Sequence, residues 1–491
     1  MDIVGKSKNT LIVHILVFIQ GIVLIPLIVK NSGVDVYGMY VLLITILSFS
    51  YGISSFGYGF NASRYLPSAR TKEEKEALFV PQFVFQLISV IVISLLLVIF
   101  IYIGSFYELW NLKDVWLWAL PIYLISQCLF SQGTIYYRYT HRVYLLNKFT
   151  ILEPYLFISI AICYFAIIGN LTVNVLLLTN ILSLIILAVI IQFMVFKEID
   201  FKLTIPKFDI FKRDMLYGLP LLLAFMIDTV VISGDRFFIA SFMTIEDVGY
   251  YSIAYSLGMV MLFVPKAISV VITPIVSMYI DNYNTLDAKK IFINVIRLYL
   301  LVTIPFVAGA VVLGGDLLYI ISNKQTSLES LFVLPIIGIS SIFYGLNYIY
   351  NIVFFVNKDT AKILKVNIMM ALFNIILNFV FFMLFLEIEV AAISTLLSYL
   401  IGYVYIIRNV GTFWKIGITV SWFLRVLFHS VLMALGVLIV KNLILLDTVL
   451  MVVFYIIFGI AIYISSIYID KKMARNEINL ILKTIKEGNK A

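Results

Sequence analysis

Long uncharged apolar segments recur along the whole sequence and constrain its fold more than any other feature. An α-helix rises about 1.5 Å per residue, so an apolar segment of roughly 20 residues spans the ~30 Å hydrocarbon core of a bilayer. Hydrophobic residues make up 63% of the 491 residues, whereas Asp, Glu, Lys and Arg make up only 13%. A soluble domain carries about 25% of these charged residues and cannot bury so many long apolar helices. The sequence therefore predicts an all-α polytopic membrane protein.

Fourteen segments have the length and composition of a transmembrane helix. They are residues 10–29, 38–60, 79–104, 115–137, 151–168, 174–196, 215–235, 249–280, 291–313, 329–356, 366–385, 390–407, 420–440 and 448–469. Because this number is even, both termini lie on one side, where the segments contain 27 Lys and Arg residues against five on the other side. By the positive-inside rule, both termini are expected in the cytoplasm and the chain in the cytoplasmic (inner) cell membrane.

The same rule accounts for the formal net charge of +8, so this charge does not indicate a nucleic-acid partner. The C-terminal tail, residues 470–491, interleaves apolar and basic residues. This pattern predicts an amphipathic helix that contacts the anionic lipids of the inner leaflet.

The rarer residues exclude several kinds of chemistry. Cys128 and Cys163 lie within predicted spans and form no CxxC pair, and the three histidines match no metal-ligand spacing. The sequence also contains no GxxxxGK[ST] phosphate loop, no DxD motif and no large outer loop that would house a catalytic site. We therefore expect no metal, no cofactor, no catalytic residue and no enzyme activity. Any transport would be driven by a proton or sodium gradient, or by downstream consumption of the product.

A charged connection after the sixth span divides the first twelve spans into two groups of six. The predicted organisation is an N-terminal lobe (1–196), a cytoplasmic linker (197–214), a C-terminal lobe (215–407), two additional helices (408–469) and the tail (470–491). In each lobe a glycine, Gly38 or Gly249, follows acidic residues at the mouth of the second helix, and a proline, Pro26 or Pro220, lies in the first. These four residues and Pro265 in span eight are the predicted hinges, because proline bends a helix.

At these residues the sequence resembles the Wzx-type flippases of lipid-linked oligosaccharides such as O-antigen units. They belong to the MOP superfamily, which also holds the lipid II flippases and the MATE multidrug exporters. The resemblance covers nearly the whole chain. The resemblance rests on the segments around Gly38 and Gly249 and on three motifs. These are Ser233-Gly234-Asp235-Arg236, Val248-Gly249-Tyr250-Tyr251-Ser252 and Val390-Ala391-Ala392, and at the last of them the family often has Gly-Ala-Ala.

The resemblance implies two six-helix MATE-like lobes around a central cavity that opens alternately to each side. It implies a flippase that translocates a polyprenyl-diphosphate-linked oligosaccharide for surface polysaccharide synthesis, among membrane lipids and with a polysaccharide polymerase and export machinery as partners. The alternatives are a cation-coupled MATE-type drug exporter, a lipid II flippase and, less favoured, a membrane polysaccharide polymerase or glycosyltransferase. A drug exporter of the MATE type usually has twelve spans and binds cations through acidic residues, whereas this sequence offers fourteen spans and basic residues.

Two ionisable residues lie inside predicted spans. An unpaired charge at the bilayer centre costs roughly 2.5 kcal/mol or more. Lys266, next to Pro265, is therefore expected to face the central cavity and bind an anionic substrate, or else to snorkel or pair structurally. Asp228 in span seven is either its ion-pair partner or a site for the coupling proton or sodium ion.

Other charged residues lie at the ends of spans. Arg64 and Arg297 are suited to bind a diphosphate headgroup bidentately, although topology alone also places basic residues at cytoplasmic helix ends. Asp235 and Arg236 either lock together or gate the outer mouth. Glu153, at the predicted start of span five, is expected to be a solvated helix-end acid.

Neutral polar residues form stripes at helical spacing in three spans. The stripes comprise Gln127, Ser131 and Gln132 in span four, Ser341, Tyr344, Tyr348 and Asn351 in span ten, and Asn367, Asn374 and Asn378 in span eleven. Such groups suit a substrate rich in sugar hydroxyls, and they suit interhelical hydrogen bonding equally well. Tyr344, Asn351, Asn374 and Gln127 are the candidate substrate contacts.

Overall fold

A computed structural model of the chain describes most of its residues. The described ranges are 3–69, 71–106, 116–199, 208–281, 283–357, 359–414, 419–444 and 449–470. Residues 471–491 of the predicted tail and residues 200–207 of the predicted linker therefore lie outside the described residues.

The described residues fold into α-helices joined by short connections, and no strand occurs among them. The helices are α1 Ile3–Ser32, α2 Val34–Ser54, α3 Tyr58–Tyr65, α4 Lys72–Phe106, α5 Ala119–Tyr139, α6 Val143–Ile168, α7 Val173–Ile199, α8 Phe208–Ser233, α9 Asp235–Phe242, α10 Ile245–Gly258, α11 Phe263–Asp281, α12 Thr285–Ile321, α13 Lys324–Glu329, α14 Val333–Val356, α15 Thr360–Leu384, α16 Glu389–Asn409, α17 Val420–Leu443 and α18 Val449–Ile469.

The predicted fold class is confirmed. A long helix overlaps each of the fourteen predicted spans, with α10 and α11 joined by a short 3-10 turn in span eight. Within the described residues, eleven helical segments are long and apolar enough to cross a membrane, and two shorter ones, Leu16–Ser32 and Leu222–Ser233, are also apolar. The chain is a multi-pass membrane protein.

Proline and capping residues explain local features of these helices. The 3-10 turn Met259–Leu262 immediately precedes the helix that contains Pro265. Because proline has no N–H and its ring crowds the carbonyl four residues earlier, regular α-helical bonding is disturbed at that place. At other helix starts, the side chains of Asn284, Asn323 and Thr419 cap α12, α13 and α17 by accepting a backbone N–H.

The chain packs as two compact units, one made of residues 15–249 and the other of residues 1–14 and 250–491. In the first unit, α5 packs against α4, α6 and α7, and α2 packs against α4 and α8. Small residues on α5 and α7, such as Ser126 and Ser183, lie fully covered at these contacts, where they let the helices approach closely. The predicted boundaries of the two six-helix lobes stay a prediction.

In the second unit, α16 packs against α14 and α15, and α12 packs against α14, α17 and α18. A cluster around Leu313, Val437 and Tyr455 joins α12, α17 and α18. Beside it the ammonium of Lys441 forms an ion pair with Asp316, with 2.5 Å between Nζ and Oδ2, and also donates to the carbonyl of Val312. The two additional helices are therefore fixed to α12 by both apolar and ionic contacts.

Candidate functional site

A polar cleft lies between α2 and the end of α8. Its volume is about 240 Å³. The lining residues are Tyr40, Val41, Ile44, Thr45, Ser48, Thr229, Ser233 and Arg236. Five of these eight side chains carry a hydroxyl and one is a guanidinium, which is unusual in a chain that is 63% hydrophobic.

Three of the five hydroxyl groups of this cleft are oriented as acceptors. Thr45, Ser48 and Thr229 donate their hydrogens to the carbonyls of Val41, Ile44 and Phe225 one turn back in their own helices, over 2.7 to 2.9 Å. Each oxygen keeps lone pairs that accept a further hydrogen bond. Together with the donors of Arg236, the cleft can bind a ligand that offers hydroxyls and an anionic group.

Two close backbone contacts hold α2 at its ends. Near its start, a Cβ placed on Gly38 would lie 2.7 Å from the backbone nitrogen of Gly249 in α10, so only glycine fits there. Just beyond its end, a Cβ placed on Gly57 would lie 2.6 Å from the Cα of Gly218 in α8. The structure thus places Gly38 and Gly249, the two glycines predicted as hinges, in contact. Gly57 and Gly218, a pair that was not predicted, are in contact at the other end of α2.

A much larger apolar groove, of about 1060 Å³, lies between α17 and α18. Its lining residues are Ser421, Leu424, Arg425, Phe428, His429, Leu432, Phe458, Ala461, Ile462, Ser465, Ser466, Ile469 and Asp470. The polar members gather where α17 begins and α18 ends. There Arg425 donates to both carboxylate oxygens of Asp470 over 3.1 and 3.2 Å, and Nε2 of the buried His429 lies 3.7 Å from the same carboxylate.

The predicted Arg297 packs next to this region of the second unit. Its guanidinium lies over the ring of Trp422 in α17, 5.8 Å from the ring centroid. Within the described residues its buried Nε atom has no hydrogen-bond partner. Stacking uses the face of a planar guanidinium, and its N–H groups point outward in the plane, where an anion binds.

The other predicted residues of this unit have different surroundings. Lys266 is exposed on α11, directly after the buried Pro265. Tyr344 is buried against Tyr399, with 4.7 Å between the ring centroids. Asn351 is partly buried and its Oδ1 accepts no hydrogen bond from the described residues. Their roles as substrate contacts stay predictions.

Asn374 forms hydrogen bonds with other side chains of the protein. It is fully buried, donates to the hydroxyl of Thr395 on α16 over 3.4 Å and accepts from the amide of Asn378 over 3.2 Å. This network links α15 to α16, so the interhelical role considered for this stripe accounts for its contacts.

In the first unit, the predicted residues lie on several helices. Gln127 is partly buried on α5, Asp228 is partly buried on α8, and Asp235 is buried at the start of α9. Pro26 lies inside the uninterrupted α1. The side chains of Arg64 on α3 and Pro220 on α8 lie outside the described residues.

Glu153 is a residue whose position the sequence analysis predicted wrongly. The helix that contains it, α6, begins at Val143, ten residues earlier, so Glu153 is not a helix-end acid. Asn147 and Lys148 lower the hydropathy of the first turns, so the predicted span began only at residue 151. Sequence reasoning also missed Arg425 and His429 as neighbours in the groove. They are four residues apart in an apolar span, a spacing that places two side chains on the same helix face. Within the described residues, no group of three or more His, Cys, Asp or Glu could hold a metal ion.

Solved structures share this fold. A structure described as lipid II flippase MurJ in an inward closed conformation matches with a TM-score of 0.69 and 16% identity, covering 96% of this chain and 99% of that chain. An inward-facing multidrug resistance MATE family transporter of the MOP superfamily matches with a TM-score of 0.64 and 14% identity, covering 84% and 96%. A MOP superfamily transporter from Pyrococcus furiosus matches with a TM-score of 0.58 and 13% identity over the same shares. At these identities the likeness concerns the fold.

Sequence comparison addresses the family directly. No curated protein matches the sequence of this chain significantly. The model of a family described as polysaccharide biosynthesis protein matches residues 33–325, which is more than half of the chain. The chain therefore belongs to the polysaccharide biosynthesis protein family.

Proposed function

We propose that this protein is a flippase that moves a polyprenyl-diphosphate-linked oligosaccharide repeat unit across the cytoplasmic membrane by alternating access. The product would supply surface polysaccharide synthesis, with a polysaccharide polymerase and export machinery acting next. Both termini would lie in the cytoplasm, as the distribution of basic residues indicates.

The groove between α17 and α18 carries this proposal. On α17 it extends from Ser421 to Leu432, which corresponds to about 16 Å along the helix axis, or roughly half of the hydrocarbon thickness. Its wall is apolar along most of this length and polar at one end only. A ligand with a long apolar chain and a charged group at one end matches this pattern, whereas a small soluble drug does not require it.

Groups suited to the other part of such a ligand are also present. The cleft beside α2 offers hydroxyls and Arg236, which suit sugar hydroxyls and phosphate oxygens. Arg297, stacked on Trp422, and the exposed Lys266 are further candidates for the diphosphate. We propose these three basic residues as the anion-binding groups of the transport cycle.

A lipid II flippase is the second candidate function. The structure of MurJ covers 96% of this chain, whereas the MATE structures cover 84%. Lipid II also combines a long apolar chain, a diphosphate and sugars, so the groove and the cleft suit it as well. The family description favours a polysaccharide repeat unit.

Reconstitution into liposomes tests the proposal. A fluorescent polyprenyl-diphosphate oligosaccharide is placed in both leaflets, and a membrane-impermeant quencher is added outside. We expect the protein to make the inner-leaflet fraction accessible to the quencher, while liposomes without protein keep it protected. Lipid II, and a phospholipid with the same fluorophore, serve as comparison substrates. Equal translocation of the phospholipid would contradict recognition of the glycan, and faster translocation of lipid II would favour the second candidate.

A further inference from the structure

An acidic residue lies inside the membrane-spanning part of the first unit. Glu153 is ten residues, or about 15 Å, from the start of α6, and Pro154 follows it. Its side chain is partly buried, and within the described residues it has no ion-pair or hydrogen-bond partner. An ionised carboxylate at such a depth is costly, and acids there commonly carry protons along a transport pathway.

Two phenols lie near Glu153, and an amide bonds one of them. Tyr40 on α2 and Tyr123 on α5 are both buried and lie close enough to interact electrostatically with its carboxylate. The ring of Tyr40 also stacks on Phe157, one turn after Glu153 on the same face of α6. Tyr40 in turn accepts a hydrogen bond from the amide of Asn180 on α7, over 3.1 Å.

Few other titratable groups surround this site. Tyr37 on α2 lies close enough to Tyr40 for electrostatic interaction, and the nearest titratable residues along α6 itself are Lys148 and Tyr155. Tyr155 donates its hydroxyl to the carbonyl of Leu16 on α1. The charged residues of α7, Lys197 and Glu198, lie at its far end. On α2, the carboxylate of Asp35 lies in the first turn, five residues before Tyr40. Glu153 is the carboxylate that interacts with both Tyr40 and Tyr123.

One atom of this group lacks a donor. The Oδ1 atom of Asn180 is buried and accepts no hydrogen bond from the described residues. The charge of an ionised Glu153 attracts the hydrogen of the Tyr40 hydroxyl electrostatically, while the Tyr40 oxygen accepts from the Asn180 amide. When Glu153 is protonated this attraction is lost, and the Tyr40 hydroxyl can instead donate to the Asn180 oxygen, which then has its partner. The two protonation states thus favour different orientations of the Tyr40 hydroxyl.

We propose that Glu153, with Tyr40, Tyr123 and Asn180, is the proton-binding site that drives transport, an inference that rests on the proposed flippase function. A proton from water binds one oxygen of Glu153 on one side of the membrane and returns to water on the other. The site differs from Asp228, the residue that the sequence analysis considered for coupling.

Tyr40 connects this site to the cleft. It lines the cleft together with Arg236, and it follows Gly38, where α2 contacts α10, by two residues. A change in its hydrogen bonds therefore acts on the helix whose ends are held by the two glycine contacts. Protonation can shift the conformational equilibrium only because the two states bind the proton with different affinity.

Infrared spectroscopy of the full chain in lipid nanodiscs tests proton binding without requiring transport. We expect a protonated-carboxyl band that titrates with pH and is lost in Glu153→Gln. The matched control is Glu387→Gln, because Glu387 is exposed in the connection before α16. Tyr40→Phe should shift the midpoint of the Glu153 band, whereas Tyr283→Phe, on a 94% exposed ring, should not. A titrating band that is unchanged in Glu153→Gln would overturn the proposal.

Proteoliposomes with an imposed pH gradient test coupling. If one proton is exchanged per cycle, the steady-state distribution of the lipid-linked glycan should shift by up to about tenfold per pH unit, because one unit corresponds to 1.36 kcal/mol. Glu153→Gln should lose this shift, and Glu153→Asp, which keeps an ionisable group, should retain part of it. Translocation with no response to the gradient, or a shift produced by a sodium gradient instead, would overturn proton coupling and leave the flippase function intact. If no glycan is translocated at all, the proposed function fails and the infrared titration alone decides on Glu153.

Discussion

The cleft between α2 and α8 and the groove between α17 and α18 differ in almost every property. The cleft is small, about 240 Å³, and most of its lining side chains are hydroxylic or cationic. The groove is about 1060 Å³ and apolar except at one end, where Arg425 and Asp470 pair. The cleft can hold groups that exchange hydrogen bonds with water, and the groove can hold a chain that avoids water. Each environment by itself suits one part of the proposed lipid-linked glycan, the cleft its polar groups and the groove its apolar chain.

The two regions also differ in how their helices are held. Around the cleft, α2 contacts its neighbours through glycine backbones at Gly38 and Gly57, where little interlocking side-chain structure must be broken on separation. Around the groove, α17 is fixed to α12 by the pair of Lys441 with Asp316 and by a cluster of apolar side chains. We therefore expect the helices around the cleft to move more during transport than the helices around the groove.

The largest effect is expected from Gly38→Ala. The added Cβ would lie 2.7 Å from the backbone of Gly249, which cannot move aside as a side chain would. Overpacking of this kind costs about 1 to 3 kcal/mol, so the glycan translocation rate should fall by roughly tenfold to a hundredfold. Gly52→Ala on the same helix is the control, since its Cβ would meet Phe225 at an ordinary 3.5 Å. Equal rates for the two variants would mean that this contact does not form in the cycle.

The next effect concerns the charge of the cleft. Arg236→Ala removes the guanidinium, and a hydrogen bond to a charged group contributes about 1.5 to 3 kcal/mol, so affinity for the glycan diphosphate should fall about tenfold or more. Arg236→Lys should recover part of the affinity, because charge is kept and the bidentate geometry is not. Binding of the fluorescent substrate in nanodiscs measures both. Unchanged affinity in Arg236→Ala would assign the diphosphate to Lys266 or Arg297 instead.

The helices of this fold were predictable because the bilayer imposes a length and a composition on each span. Helix ends were not, since helices continue beyond the apolar run: α12 covers Thr285–Ile321, whereas hydropathy indicates only 291–313. The short helices α3, α9 and α13 have no apolar run long enough to indicate a span. The error at Glu153 has the same cause, because α6 begins with polar turns.

The candidate site was predictable only where a repeat marked it. Gly38 and Gly249 occupy matching sequence positions, and the structure shows their backbones in contact. The hydroxyls of the cleft carry no such signal, because serine and threonine are common in any apolar helix. Arg425 and Asp470 are 45 residues apart in sequence, so only the antiparallel packing of α17 and α18 brings them together.

A smaller effect is expected when the groove is filled. Ala461→Trp places an indole among the lining side chains, and Ile460→Trp places it on the neighbouring exposed residue, which does not line the groove. We expect Ala461→Trp to slow translocation several-fold for a long-chain substrate and to leave a short-chain analogue unaffected. Loss of activity with both substrates would indicate general damage to α18, and no loss with either would contradict a chain in the groove.

The smallest effect concerns the ion pairs at the two ends of α17. Lys441 and Asp316 are partly exposed, with 30% and 24% of the side-chain surface accessible, so the pair is expected to stabilise the fold by only about 1 kcal/mol. A double-mutant cycle with Lys441→Met and Asp316→Asn, read by thermal unfolding in nanodiscs, measures that coupling energy. Translocation should stay within about twofold, because this pair lies outside the groove and a surface pair supplies too little energy to shift a rate further.

The same cycle with Arg425→Gln and Asp470→Asn should change the affinity for the long-chain substrate as well, because both residues line the polar end of the groove. If the Lys441 cycle altered substrate affinity as much as the Arg425 cycle, the polar end would have no special part in binding, and the groove would serve only to join α17 to α18.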